Sequence, residues 1–252
     1  MEFKVIKSNI LSVQADAVVV PSNTTLYEGG KGTVSYAVYS KAGYKKLQKE
    51  CKRIVAKEGG YIHEGRAIPT QPFDYDAKYI IHAVVPKWID GEHEEYEKLS
   101  EAYITSLNVA DFLQCESIVF PLMSAGHNGF DKQLAMQIAI ECIRQYESDN
   151  LKNVYLAILD VKATEFFRDA GYEVAEATIN YEPKKVASEN NSFIPKAVVD
   201  YLADKFAKGG KEIADAMIDK AIEEMKKPEN WKKLADWAKK AYDDAKERQH
   251  NV

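Results

Sequence analysis

Short apolar segments alternate with longer amphipathic segments over the first 180 residues, and this alternation constrains the fold more than any other feature of the sequence. Residues 17–20 and 80–84 are continuously apolar apart from His82. Strands with this pattern are covered on both faces, as happens in parallel sheets packed between helices. The sequence therefore predicts an α/β fold in which a mixed or parallel sheet lies between helical layers.

We predict six strands and five helices in this part of the chain from β-branched runs and from apolar periodicity. The strands are residues 3–6, 17–20, 67–70, 78–85, 117–120 and 154–159. The helices are residues 35–42, 44–56, 94–112, 132–147 and 163–170. Their order is that of strand-to-helix units, which supports the same fold class.

The sequence changes character after residue 185. Residues 188–192 form a polar segment typical of a linker. Beyond them, apolar residues recur at helical spacing in three stripes, and three helices are too few for an independent core. We therefore predict an α/β domain over residues 1–185 and an all-helical extension of about three helices over residues 186–252. Trp231 and Trp237 indicate that the extension packs on the main domain or on a second subunit.

The composition is that of a globular protein, with 46% hydrophobic and 29% charged residues. No apolar run approaches the roughly 20 residues of a membrane-spanning helix. The first residues lack the basic and apolar regions of a signal peptide. The three cysteines are spaced too widely for a disulfide framework or a zinc knuckle. We therefore expect a cytoplasmic protein that does not bind membranes.

The net charge of −5 is unevenly divided along the chain. Residues 190–252 hold 13 basic and 12 acidic side chains, so residues 1–189 hold the other 21 and 27. Nucleic acid is therefore not an expected partner, since proteins that bind it usually have a basic face. An anion bound by the first part of the chain must be held by local groups rather than by an overall positive field.

A glycine-rich segment, the first loop (residues 23–33), follows the apolar strand at residues 17–20 and leads into a helix. Glycines allow the backbone to approach a ligand, and a helix N-terminus offers N–H groups to an anion, most often a phosphate. Two common nucleotide motifs do not match. Lys31 is followed by Gly32 instead of Ser or Thr, and position 35 is Ser35 instead of glycine. A tight turn without a ligand is the alternative interpretation.

The second loop (residues 121–131) has the same context, between a buried strand and a helix, and contains Ser124, Gly126 and Gly129. Loops that leave the carboxyl ends of buried strands form the walls of a crevice in α/β folds. Together the two loops can present backbone N–H groups to two phosphates. Ser124 is not a hydrolase nucleophile elbow, because position 122 is Leu122 instead of glycine.

Over its first 170 residues the sequence resembles the macro domain family, whose members bind ADP-ribose in a crevice of an α/β/α sandwich. The resemblance rests on several segments in the family's order and spacing: residues 15–19 with Asn23, 29–32, 39–43, 79–86, 115–121 and 124–130. It implies a three-layer α/β/α sandwich with a mixed, mostly parallel central sheet.

The resemblance also implies ligand-binding residues. Asp16 would accept a hydrogen bond from the adenine amino group, and the backbone of Ala17 would contact the neighbouring ring nitrogen. Asn23 would face the distal ribose, and Leu159 would pack on the adenine face. The phosphates would be held by Gly30, Gly32, Thr33, Val34 and Ser35 in the first loop and helix start, and by Ser124, Ala125, Gly126, His127, Asn128 and Gly129 in the second loop.

The sequence departs from the family pattern at positions that matter for catalysis. Hydrolytic relatives have an asparagine at the position of Val20 and an aspartate, which positions the attacking water, at the start of the helix after the first loop. Here that aspartate is replaced by Ser35 or Val34, depending on the alignment, and neither is a base. In the second loop, His127 and Asn128 replace an aliphatic–aromatic pair that helps to hold the distal ribose.

Two side chains remain weak candidates for the missing base. An imidazole at His127, beside bound phosphates, would favour its protonated form, which is a better anion partner than a base. Glu28 is the nearest carboxylate in the first loop. The histidines outside the loops lack metal-ligand spacing, so we expect neither a metal nor a cofactor.

Three functions remain open from the sequence. The first is a binding module for ADP-ribose or an ADP-ribosylated protein. The second is an enzyme, either an ADP-ribosyl hydrolase or an O-acetyl-ADP-ribose deacetylase, that uses an unfamiliar base. The third is a degenerate macro scaffold that acts through protein contacts or self-association of the helical extension.

Overall fold

The computed structural model describes residues 1–176 of the protein. The predicted linker and the helical extension, with Trp231 and Trp237, lie outside the described residues, as does the predicted boundary at residue 185.

A seven-stranded sheet runs through the described part of the chain, in the order β3-β4-β2-β5-β6-β1-β7. The strands are β1 (Glu2–Lys7), β2 (Ala17–Ser22), β3 (Ala67–Thr70), β4 (Tyr79–Val84), β5 (Ser117–Pro121), β6 (Asn153–Ile158) and β7 (Val174–Glu176). The strand β3 is antiparallel to β4, and the other neighbours are parallel. The predicted mixed, mostly parallel sheet is confirmed.

Helices cover both faces of this sheet. They are α1 (Val34–Ala42), α2 (Tyr44–Lys57), α3 (Glu95–Phe112), α4 (Lys132–Gln145) and α5 (Val161–Asp169). Through α3, α4 and α5 the chain passes from β4 to β5, β6 and β7, in one direction along the sheet. Through α1 and α2 it passes from β2 towards β3 and β4, in the opposite direction. Because such crossovers are right-handed, the two sets of helices lie on opposite faces, which gives the predicted three-layer sandwich.

Burial explains why the sequence specifies these elements. Every residue of β4 is buried, and β2 is buried except for the half-buried Pro21, as expected for central strands covered by helices. The predicted strands and helices agree with the observed ones within two residues at each end. The sequence did not reveal the short strand β7 or a 3-10 turn at Ile10–Ser12, since three residues are too few for a periodic pattern.

Within residues 1–176, none of the helices is both long and apolar enough to cross a bilayer.

The parallel strands place their carboxyl ends at the same edge of the sheet, which we call the carboxyl edge. The segments that follow β1, β2, β4, β5 and β6 therefore lie side by side there. They are residues 8–10, 22–33, 85–94, 121–131 and 159–161. Ligands of open α/β sheets bind at this edge, so it is where a site is expected.

His82 is fully buried in β4 and shares hydrogen bonds with two hydroxyl groups. Its Nε2 lies 3.1 Å from Thr70 Oγ1, and its Nδ1 lies 3.4 Å from Ser22 Oγ. Burial lowers the pKa of His82 from 6.5 to about 3. The folded protein therefore keeps this imidazole neutral at a pH where the unfolded chain protonates it.

This difference predicts acid sensitivity. The contribution of His82 to the free energy of unfolding is complete above pH 6.5 and falls by about 1.4 kcal/mol per pH unit from pH 6.5 towards pH 3. Urea unfolding at pH 7 and pH 5 should show about 2 kcal/mol less pH dependence in His82→Gln than in the wild type. Identical pH dependence in the two proteins would show that His82 is not held neutral.

Candidate functional site

The candidate site is formed by the two loops that the sequence singled out. The first loop follows β2 and the second follows β5, and these strands are neighbours in the sheet. Residues 85–94 follow β4 on the other side of β2. The sheet order therefore brings the two loops together at the carboxyl edge, as the sequence predicted for the walls of a crevice.

Asn23 organises the first loop through its own side chain. Its Oδ1 accepts hydrogen bonds from the backbone N–H groups of Thr25 and Tyr27, at 3.0 and 3.1 Å. Its Nδ2 donates to the carbonyl oxygen of Tyr27 at 2.8 Å. The amide thus fixes the turn that opens the loop, and the predicted contact with a distal ribose stays a prediction.

The first loop ends in an open helix N-terminus. Thr33 caps α1, because its Oγ1 accepts a hydrogen bond from the N–H of Tyr36 at 3.2 Å and donates to the carbonyl oxygen of Gly30 at 2.8 Å. The N–H groups of Val34 and Ser35 lie in the first turn, where a helix has no backbone acceptor for them. This end of α1 therefore suits an anion.

The glycines of this loop leave space in front of the helix. A Cβ added at Gly30 or Gly32 would meet no atom within 4 Å, and Gly32 has a φ of +91°, which other residues rarely adopt. Gly29 has another reason to be glycine, which the sequence did not reveal. A Cβ there would lie 2.5 Å from Thr33 Oγ1 and would displace the helix cap.

Ser35 lies in the first turn of α1 with a side chain that is 5% exposed. Its Oγ makes no hydrogen bond within residues 1–176. A buried hydroxyl without a partner is uncommon and is expected to bind a ligand or water. Val34 and Ser35 are the first two residues of α1, directly after the first loop.

The second loop is held in shape by its own backbone and by residues 85–94. Ser124 has a φ of +60°, and its Oγ donates to the carbonyl oxygen of Pro86 at 3.0 Å. The N–H of Gly129 donates to the carbonyl oxygen of Gly126 at 3.1 Å, and that of Trp88 donates to Asn128 at 2.7 Å. Gly126, His127 and Gly129 are exposed, whereas Ala125 and Asn128 are half-buried.

Aromatic side chains pack against the second loop. The ring centroid of Trp88 lies 5.2 Å from that of Phe130 and 5.5 Å from that of Tyr96. The buried hydroxyl of Tyr103, on α3, accepts a hydrogen bond from the N–H of Met123 at 3.0 Å. The sequence did not predict these supporting residues, because they come from other loops and helices.

Leu159 follows β6 at the carboxyl edge and is 65% exposed. Asn9 follows the neighbouring strand β1, and the N–H of Ser8 donates to the carbonyl oxygen of Ile158 at 3.0 Å. Asn9 is exposed, and its Oδ1 accepts a hydrogen bond from the N–H of Leu11. Asn9 was not predicted from the sequence, although a polar residue directly after a parallel strand marks this edge.

Asp16 and Ala17 lie at the opposite edge of the sheet, which corrects the predicted role of both residues in binding adenine. They come before or at the first residue of β2, about 17 Å from its carboxyl end. Asp16 is 3% exposed, and its Oδ2 accepts hydrogen bonds from the N–H of Glu116 at 2.8 Å and from Lys78 Nζ at 3.0 Å. The carboxylate therefore ties three strand starts together and does not face the loops.

Neither candidate base is positioned by partners in the crevice. Glu28 Oε1 accepts a hydrogen bond from the hydroxyl of Tyr44 at the start of α2, and this bond raises the pKa of Tyr44. Glu28 Oε2 is buried and has no partner in the described part of the chain. His127 is exposed in the second loop and makes no side-chain hydrogen bond to another residue of segment 1–176.

Asp90, His93 and Glu95 could supply ligand atoms to a metal, since these atoms lie within 4.8 Å of one another. However, Glu95 Oε1 already accepts hydrogen bonds from the N–H groups of Ile89, Asp90 and Gly91, and Oε2 accepts one from His93. Burial raises the pKa of Glu95, but these bonds outweigh it and bring the pKa to about 2. The cluster is a turn built around a carboxylate.

Comparison with known proteins identifies the family. The sequence profile described as Macro domain matches residues 19–139. A macro domain-containing protein of Caldanaerobacter subterraneus is 37% identical over 69% of this chain and 93% of its own length. The O-acetyl-ADP-ribose deacetylase 1 of Pantoea vagans is 34% identical over 63% of this chain and 91% of its own length.

Solved structures agree with the sequence relatives. The Oceanobacillus iheyensis macrodomain, in a glycine-to-valine mutant with ADPR, has a TM-score of 0.61 and 25% identity, over 66% of this chain and 89% of its own. The same macrodomain with ADP gives the same TM-score and identity, over 66% of this chain and 87% of its own. The sheet and loops described above are therefore those of a known fold, and the chain belongs to the macro domain family.

Proposed function

We propose that this protein binds ADP-ribose, either free or attached to a protein. The observation that carries the proposal is the pairing of two glycine-containing loops at the carboxyl edge, one of which opens on the N-terminus of α1. Backbone N–H groups in such an arrangement bind phosphate oxygens without a net positive charge nearby. The relative solved with ADPR supports the choice of ligand.

The diphosphate lies between the first and second loops in this proposal. One phosphate accepts hydrogen bonds from the N–H groups of Val34 and Ser35 and fills the space in front of Gly30 and Gly32. The other phosphate contacts the backbone of residues 124–129.

The adenine base lies against Leu159 and beside Asn9. Leu159 offers an exposed apolar surface at this edge, and Asn9 offers a carboxamide next to it. An amide both donates and accepts hydrogen bonds, which matches the amino group and ring nitrogen of adenine. The distal ribose then points towards Asn23 and the first loop.

Titration calorimetry with ADP-ribose tests the proposal. We expect saturable binding with one ligand per chain, and weaker binding of a guanine diphosphate, because Asn9 matches the adenine edge. No heat with ADP-ribose at millimolar concentration would contradict the proposal and would favour the degenerate scaffold.

Replacing Leu159 with phenylalanine should strengthen the binding of ADP about fivefold. A phenyl ring stacks on a base more favourably than an isobutyl group does, by about 1 kcal/mol. Calorimetry with ADP and with ribose 5-phosphate checks this, since the second ligand has no base and should bind equally to both proteins. A gain for both ligands, or for neither, would place adenine elsewhere.

We propose binding rather than hydrolysis as the activity. The proposal is supported by Ser35 in the first turn of α1, where a carboxylate would be needed, and by the contact of Glu28 with Tyr44. The O-acetyl-ADP-ribose deacetylases among the relatives make the enzyme the second candidate. A gel assay with mono-ADP-ribosylated protein, and product analysis with O-acetyl-ADP-ribose, should show no turnover. Turnover of either substrate would overturn the binding-only proposal.

We also propose a reducing, cytoplasmic environment. It is supported by Cys51, Cys115 and Cys142, which are all buried and unpaired. The predicted protein contacts or self-association of residues 186–252 stay predictions, because that segment lies outside the described residues.

A further inference from the structure

The helix α2 is strongly basic although the chain as a whole is acidic. Its fourteen residues include one acidic side chain, Glu50, and six basic ones: Lys45, Lys46, Lys49, Lys52, Arg53 and Lys57. The net charge of the whole chain is −5. A local concentration of positive charge of this kind attracts anions whatever the sign of the total charge.

Four lysines of α2 are exposed and have no ion partner within residues 1–176. Lys46 pairs with Asp74 at 2.7 Å, and Arg53 pairs with Glu50 at 2.7 Å. Lys45, Lys49, Lys52 and Lys57 are exposed and have no carboxylate partner among the described residues. Lys45, Lys49 and Lys52 lie on one side of the helix, at spacings of four and three residues. That side is opposite the buried Leu47, Cys51 and Ile54.

The chain leaves α2 through a turn that exposes an aromatic side chain. Gly59 and Gly60 have φ values of +78° and +105° and reverse the chain. Tyr61 is then 50% exposed, and its ring centroid lies 4.7 Å from that of His63. The N–H of Ile62 donates to the carbonyl oxygen of Thr24 at 2.6 Å, which fixes this segment against the first loop.

We propose that Lys45, Lys49 and Lys52, which we call the α2 face, bind single-stranded nucleic acid together with Tyr61. The three lysines extend over about 10 Å of one side of the helix and contact successive phosphates of the strand. Tyr61, nine residues after Lys52 in the sequence, is exposed and offers a surface on which a base stacks. Lysines combined with an exposed aromatic ring are used by proteins that bind single strands without sequence preference.

An acidic peptide is the competing ligand, because it also carries a row of negative charges. It has no base to stack on Tyr61, so the exposed aromatic side chain favours the polynucleotide. The net charge predicts that nucleic acid does not bind, but the positive charge of α2 is concentrated on one helix and acts locally. The proposal concerns a surface outside the crevice and does not depend on ADP-ribose binding.

Fluorescence anisotropy of a labelled oligodeoxythymidine with the full-length protein, at several salt concentrations, tests the proposal. The triple variant K45Q/K49Q/K52Q should reduce the slope of log K against log salt by about 2, which is about 0.7 per lost phosphate contact. If the variant and the wild type bind equally at 1 M salt, this change of slope makes the variant bind roughly 100-fold more weakly at 0.1 M salt. Tyr61→Ala should weaken binding at least about fivefold with an unchanged slope.

The matched control is K4Q/K98Q/K152Q, which removes the same charge from exposed or half-exposed lysines elsewhere. It should bind the oligonucleotide as the wild type does. The α2 variants should keep wild-type affinity for ADP-ribose, so that failure of the crevice proposal and of this one can be told apart. Wild-type affinity and slope in the triple variant, or equal binding of a glutamate-rich peptide that Tyr61→Ala does not weaken, would overturn the proposal.

Discussion

Replacing Gly32 with valine is expected to weaken ADP-ribose binding about 100-fold or more. The side chain would enter the open space before α1 and exclude the phosphate from the N–H groups of Val34 and Ser35. Two hydrogen bonds to a charged group contribute about 3 kcal/mol, which corresponds to that loss of affinity. Calorimetry measures the affinity directly.

Valine at Gly32 also strains the backbone, so a control must carry the same strain. Gly59 provides it, because it has a φ of +78° and open space around it, and it lies after α2. Both variants should lose about 1–3 kcal/mol of stability. Only Gly32→Val should lose affinity for ADP-ribose. Equal loss of affinity in the two variants would mean that the first loop does not hold a phosphate.

Asp16→Ala is expected to destabilise the fold and to leave ADP-ribose binding unchanged. The substitution leaves the N–H of Glu116 without its acceptor and breaks the contact with Lys78. Removing a buried carboxylate from such hydrogen bonds costs about 2–3 kcal/mol, which lowers the melting temperature of a domain of this size by roughly 5–10 °C. Thermal unfolding and calorimetry, performed on the same sample, check both parts.

Lys78→Gln is the matched control for this variant. The Lys78 side chain is 44% exposed, so its loss should cost much less than the loss of Asp16. A melting temperature for Asp16→Ala that equals the wild-type value, combined with weaker ADP-ribose binding, would restore the adenine role that the sequence suggested for Asp16.

The fold was predictable because its central strands are unusually clear in the sequence. Two segments that are apolar apart from His82 became β2 and β4, and the strand before the second loop became β5. The two loops could be placed together for the same reason, since parallel neighbours end at the same edge. The glycines of the first loop and Thr33 also allow the start of α1 to be predicted from the sequence alone.

The error at Asp16 has a simple geometric origin. A residue directly before a parallel strand lies at the amino edge, whereas one directly after it, such as Asn9 or Leu159, lies at the carboxyl edge. The resemblance placed a ligand contact on the wrong side of β2. The direction of the strand would have excluded it.

Other features could not be predicted because they join distant parts of the chain. The support of Trp88 for the second loop depends on packing between residues 85–94 and Phe130. The contact between Glu28 and Tyr44 depends on how the first loop sits on α2. The helical period of α2 was visible, but the separation of its paired from its unpaired basic side chains required the positions of Asp74 and Glu50.

The position of β1 between β6 and β7 has a consequence for how the protein is made. The strand β1 is synthesised before both of its partners, because it pairs with Asn153–Ile158 on one side and with Val174–Glu176 on the other. The strands β6, β1 and β7 can therefore pair only after residues 153–176 have been synthesised. Contacts of such large sequence separation slow folding. During synthesis, Glu2–Lys7 is an unpaired edge of the kind that chaperones protect from aggregation.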